Sequence, residues 1–136
     1  MHLHNLMPHA LRVHDDGGAV TYVLEPYVAA DDETRYVARL DTTQTLLGSM
    51  TVTDDAPPLR VYTPQIVTRL SGLPPFDASE QALVPIVVSG MVGEYIAAHC
   101  DVWRGPVFSP DSSPAGAIRS ADGQVYSVRG LVQHKA

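Results

Sequence analysis

The residues best placed to do chemistry are Ser89 and Gly90, at the joint of the run Val84-Pro-Ile-Val-Val-Ser-Gly-Met-Val-Gly-Glu-Tyr-Ile-Ala-Ala-His-Cys100. An apolar run that ends in small residues and continues with a 3.6-residue period predicts a buried strand passing directly into a helix. The first amides of such a helix have no intrahelical acceptor, and the helix dipole puts partial positive charge beside them. The chemistry on offer is capture of a phosphate or another anion by the Ser89 hydroxyl and the N–H groups of Gly90, Met91 and Val92. The same residues also fit an ordinary purpose, because a serine preceding a helix caps it and stabilises it by about 1 kcal/mol.

Arginine is the second ingredient of an anion site. Arg119 and Arg129 flank the Ser120–Gly123 turn, and Arg104 precedes it. A guanidinium beside the helix start would grip an anion through charge-assisted hydrogen bonds. The competing reading is surface ion pairing with Asp101, Asp111 and Asp122, each pair of small energy. Asn5 and His9 complete the expected lining, so the candidate ligand-binding set is Ser89, Gly90, Met91, Asn5, His9, Arg119 and Arg129.

Other reactive residues assemble less well. His2, His4, His9 and His14 crowd the N-terminus, but their spacing matches no zinc-ligand pattern, and His9 follows Pro8 in a turn. Cys100 adjoins His99, yet neighbours on a helix point about 100° apart, and a helix C-terminus raises a thiol pKa. Ser89 lacks the G-x-S-x-G frame of a hydrolase elbow. No catalytic residue, metal ligand or cofactor is therefore assigned.

The elements that must position these residues are mostly short strands. Ala10–His14 alternates, Asp15-Asp16-Gly17-Gly18 is a hairpin turn, and Ala19–Leu24 is the return strand. Tyr27–Glu33 reads as a polar loop. Arg35–Leu40 alternates again, Thr42–Thr53 reads as one or two strands broken near Gly48, and Leu59–Leu70 is a strand-like run interrupted by Pro64. Ser71–Pro75 is a rigid break and Asp77–Gln81 a polar connection. In the helix, Val92, Tyr95, Ile96 and His99 fall on one face, and Gly93 weakens it by about 1 kcal/mol relative to Ala. Trp103–Ser109 leads into a Pro/Ser loop, Ile118–Arg119 into a second hairpin turn, and Gln124–Val132 closes as a strand. The expected fold is α+β, mainly β: a single domain over residues 1–136, with short strands in a mixed sheet or barrel-like core and one principal helix near 90–100. Its expected core includes Ile86, Val88, Val92, Tyr95 and Ile96.

Composition bounds the function. The 136 residues are 45% hydrophobic and 18% charged, the balance of a globular rather than a disordered chain. A net charge of −6 argues against a DNA or RNA surface, which carries a basic stripe. A small phosphate ligand held by backbone amides remains compatible. Cys100 is the only cysteine, which fits a reducing cytoplasm. No apolar run approaches the ~18 residues of a membrane span. The first fourteen residues lack the features of a signal peptide, so the chain reads as starting at Met1 inside a cell.

Three further segments, together with the strand–helix joint, carry a family likeness. His4-Asn-Leu-Met-Pro-His9 resembles the N-L-T-P-H opening of small phage and prophage proteins of unknown function, with Met7 in place of Thr. Val67–Pro75 resembles their G-x-x-x-G-L-P stretch. Val84–Ala97 resembles their Y-I-V-S strand–helix motif, and Ala117–Val125 their x-V-R-D-x-x-G-x-I hairpin, with Ser120 in place of Asp. The resemblance implies a phage origin and a place in the bacterial host cytoplasm. The strand–Ser–small–helix layout is also similar to that of small viral proteins that bind or cleave cyclic nucleotide signals of host defence. The catalytic His and Glu of the cleaving kind have no counterpart here, which favours binding.

Three functions compete. The first is a homo-oligomeric protein that binds a phosphate-containing small molecule or nucleotide signal and sequesters it from anti-phage defence. The second is a structural or protein-interaction module, a virion component or host-protein inhibitor, using a flat surface around Tyr27, Tyr36, Tyr62 and Trp103. An enzyme acting on such a nucleotide ranks last.

Overall fold

The computed structural model describes residues 3–31 and 33–136, so His2 lies outside the described residues. The structure is 39% strand and 13% helix. Its helix share falls far below the roughly one third typical of globular domains. The class is α+β, mainly β.

Among the described residues, two four-stranded sheets and two two-stranded ones, the latter in line as an arm, account for the strands. The first sheet contains β1 (His4–Asn5), β8 (Ile86–Val87), β9 (Val107–Pro110) and β12 (Leu131–Lys135), in that order. Here β1, β8 and β9 run parallel, and β12 is antiparallel to β9. The second sheet has the order β10 (Ala117–Arg119), β11 (Val125–Val128), β2 (Leu11–His14) and β3 (Val20–Leu24). The arm pairs β4 (Arg39–Thr43) with β7 (Ile66–Ser71) and, farther out, β5 (Leu46–Met50) with β6 (Leu59–Tyr62).

The apolar run at Ile86–Val88 forms the centre of this arrangement because it is covered on both faces. Ile86 and Val88 turn toward Leu6, Val92, Ile96, Trp103 and Val107, whereas Val87 turns the other way, onto Met7, Leu11 and Val128. Beyond Val88 the chain enters helix α2 (Gly90–Ala98), which buries Val92, Gly93 and Ile96. Tyr95 is only half-buried and stacks on the exposed His99 ring at 4.1 Å, so the buried face is narrower than the sequence period suggests. Gly93 is present for space: a Cβ there would stand 2.5 Å from the His134 ring on β12. The helix therefore lies against β12 only because that side chain is missing. Ile96→Ala should cost about 2–5 kcal/mol, read as a fall in melting temperature. A loss below about 0.5 kcal/mol, the surface value, would place this face in solvent.

Several expected elements shift. The alternating stretch 35–40 becomes a strand only from Arg39, and before it Tyr36 packs against the core while the Ala38 amide donates to the Leu6 carbonyl. Asp77–Gln81 is not merely a connection: Asp77 accepts from the Glu80 amide and caps a one-turn helix, α1 (Ala78–Ala82). The run Leu59–Leu70 splits around Thr63, Pro64 and Gln65, where proline withdraws a ladder donor. Gly48 does not break its strand and instead adjoins a bulge within β5. Gln124–Val132 breaks at Arg129–Gly130, where the chain leaves the second sheet and enters the first.

Candidate functional site

Three parallel strands deliver their carboxyl ends to one place. β1 continues through Leu6 to Met7, β8 through Val88 to Ser89 and Gly90, and β9 ends at Pro110. Met7, Ser89, Gly90 and Pro110 all border one open cavity of about 710 Å³. In open α/β sheets, ligands lie in the crevice outside the carboxyl ends of parallel strands. The second sheet supplies the opposite wall, with Arg12 on β2, Arg119 on β10, and Gln124, Tyr126 and Ser127 on or next to β11.

Ser89 is a cap and a wall residue together. Its backbone is extended, and its Oγ accepts a long bond, 3.4 Å, from the Val92 amide. Ser89, Gly90 and Met91 are all solvent-exposed, and the Gly90 and Met91 amides have no acceptor among the described residues. The helix start therefore opens to solvent with two donors to spare. The Met91 side chain, 65% exposed, does not line the cavity.

The arginines separate. Arg119 borders the cavity, with one guanidinium nitrogen donating to the Gly123 carbonyl at 3.0 Å and its other donors left over. Arg129 does not line it. Its Nε donates to the Asp111 carboxylate at 2.8 Å, which is the ion-pair alternative. Hydrogen bonding from the Ser113 hydroxyl, and then from Arg129, holds the Asp111 carboxyl below its ordinary pKa. Asp122, in the turn beyond Arg119, is likewise held below its ordinary pKa by the Ser120 hydroxyl and the Gln124 amide. Both carboxylates are thus engaged outside the cavity wall.

At the N-terminal wall, His9 borders the cavity and Asn5 does not. Asn5 is buried, and its amide donates to the carbonyls of His9 and Leu24 at 3.0 Å while its Oδ1 accepts from the Met7 amide at 2.9 Å. Its work is to fix the Pro8–His9 turn, which positions His9. Of the expected set, the fold brings together Ser89, Gly90, His9 and Arg119, and leaves out Asn5, Met91 and Arg129.

Arg12 and Tyr126 are wall residues that sequence reasoning missed. The Arg12 guanidinium sits 5.1 Å above the Tyr126 ring, a cation–π arrangement, and Tyr126 is half-exposed. Alternation on β2 sets Arg12 and His14 apart from Leu11 and Val13, but no local signal shows that β2 pairs with β11. His14 Nδ1 meets the Ser127 hydroxyl at 2.8 Å across 113 residues of sequence.

The electrostatic result is uneven. The chain has 15 carboxylates against 9 Lys and Arg, yet the cavity wall carries Arg12, Arg119 and His9 and, among the described residues, no Asp or Glu side chain. The aromatic surface expected for an interaction module does not form. Trp103 is fully buried, and Tyr27 and Tyr36 pack against the core with Phe76, leaving only Tyr62 exposed. Neither a protein-family model, a curated protein nor a solved structure matches the chain. Among the described residues no helix is long and apolar enough to cross a membrane.

Proposed function

We propose that this cavity binds a phosphate-bearing small molecule of nucleotide type and holds it without turning it over. The observation that carries the reading is a carboxylate-free wall with two arginines and a helix N-terminus, in a chain of net charge −6. The Gly90 amide and the Ser89 hydroxyl supply dipolar donors to a phosphate. Arg119 closes over the same group with its unused guanidinium donors. Tyr126, already backed by Arg12, offers its other face to a base or other flat ring. The motif order that resembles phage proteins, with the strand–Ser–small–helix layout similar to that of viral proteins that bind cyclic nucleotides, motivates a signal of host defence as the molecule sequestered.

A thermal-shift panel of inorganic phosphate, adenosine monophosphate, ADP-ribose and a cyclic dinucleotide tests this. A ligand at 100 times its Kd stabilises by about 2.7 kcal/mol, several degrees for a domain of this size. Arg119→Ala should weaken the responding ligand by about 1.5–3 kcal/mol. Arg129→Ala, held on Asp111, should leave its affinity unchanged. No response at millimolar ligand, or equal affinity in Arg119→Ala, would reject the reading and move the interaction module to first place.

A further inference from the structure

The arm formed by residues 39–71 takes no part in the cavity, and its surface is unlike the rest of the chain. Its base is docked, because Leu40 and Leu70 face each other across β4 and β7 and pack against the core. Its outer half is not docked. Every residue of β5 is exposed, and β5 and β6 pack chiefly on each other. Leu46, Leu47, Met50, Val52, Leu59, Tyr62 and Ile66 are each between 45% and 67% exposed. A lone two-stranded ribbon is marginal in water. An open strand edge is normally guarded by charge or proline. β5, Leu-Leu-Gly-Ser-Met, carries neither.

We propose that the arm is a self-association element, by which two copies of this chain lie arm against arm, antiparallel, joined along the open edge of β5. Two observations select a second copy as the occupant. The exposed apolar residues run along the outer half of the arm, from Leu46 to Val52 on one side and from Leu59 to Ile66 on the other, so an arm lying alongside meets apolar side chains over that whole length. The charges are self-complementary in that arrangement. The tip carries Asp54 and Asp55, whereas the base carries Arg39 and Arg69, with Arg69 only loosely engaged by Asp41 at 3.8 Å. Arg60 sits near the tip on β6. A two-fold axis that sets tip beside base brings unlike charge together twice, as an isologous contact requires. The association is independent of what the cavity binds.

Sedimentation velocity of the full chain at about 50 μM tests the proposal. The wild type should sediment as a dimer or a higher even assembly, with a melting temperature that rises with concentration. Leu47→Glu/Ile66→Glu should be monomeric and retain the wild-type circular dichroism, since neither side chain is in the core. Asp54→Lys/Asp55→Lys and Arg39→Glu/Arg69→Glu should each be monomeric alone and should pair when mixed, because the mixture restores opposite charge at both ends. A monomeric wild type would overturn the proposal, as would an assembly indifferent to Leu47→Glu/Ile66→Glu. Failure of the two charge variants to pair would overturn the antiparallel arrangement it asserts.

Discussion

Trp103→Ala should lower stability by about 3–5 kcal/mol, the range for a fully buried tryptophan truncated to alanine. Trp103 has no exposed surface and lies between Phe76, with ring centroids 6.1 Å apart, and the Ile86–Ile96 cluster. Its indole N–H donates to the Val84 carbonyl at 3.3 Å, and its own carbonyl accepts from the Lys135 ammonium at 2.7 Å. Truncation leaves a cavity and an unpaired Val84 carbonyl, while the backbone carbonyl that Lys135 holds is retained. Because domains of this kind are stable by only about 5–15 kcal/mol, the change should move the urea midpoint by a large fraction of its value. Trp103→Phe keeps most of the volume but loses the donor, and should cost about 1–3 kcal/mol. Urea unfolding followed by circular dichroism measures both. A loss under 1 kcal/mol in Trp103→Ala would show that Trp103 is not in the core.

Gly72→Ala should cost about 3 kcal/mol or more, through backbone rather than side-chain packing. Gly72 has φ +85°, a conformation that costs an L residue roughly 1–2 kcal/mol. A Cβ there would also stand 1.8 Å from the Val37 carbonyl oxygen, which has no rotamer by which to withdraw. The Val37–Ala38 segment would have to move, and the Ala38 amide holds it to the Leu6 carbonyl beside β1. Gly72 directly follows β7, so the change should also loosen the arm at its root while leaving α2 in place. The expected pattern is a lower melting temperature with faster amide exchange across 37–40 and 69–73. A neutral substitution would mean that the chain does not make this close approach.

The two effects differ in how far they could be read from the sequence. The Ser-Gly-Leu-Pro-Pro stretch announces a rigid break at Gly72 by residue type alone, because glycine and proline restrict the backbone locally. What the glycine meets, the Val37 carbonyl, is 35 positions away and is set by the return path of the arm. Trp103 carried no local signal of burial: a lone aromatic suits a surface as readily as a core. Its fate depended on Tyr27, Tyr36 and Phe76 arriving from distant segments.

The cavity divides in the same way. Sequence by itself determined the strand–Ser89–helix joint, both Asp-Gly hairpin turns and the mainly-β class. Each rests on contacts within a few residues: a cap, a turn, a period of two or 3.6. Which arginine faces the helix start was a tertiary matter. A β-bulge between Ile118 and Arg119 offsets the hairpin register and re-aims that position, while Asp111, brought close by the pairing of β9 with β12, holds Arg129 elsewhere. Arg12 and Tyr126 entered the wall only because β2 pairs in parallel with β11 across nearly the whole chain. Asn5 left it because three backbone groups needed a buried partner. Local chemistry set the donors of the helix start, and long-range strand pairing decided which charges and which ring would face them.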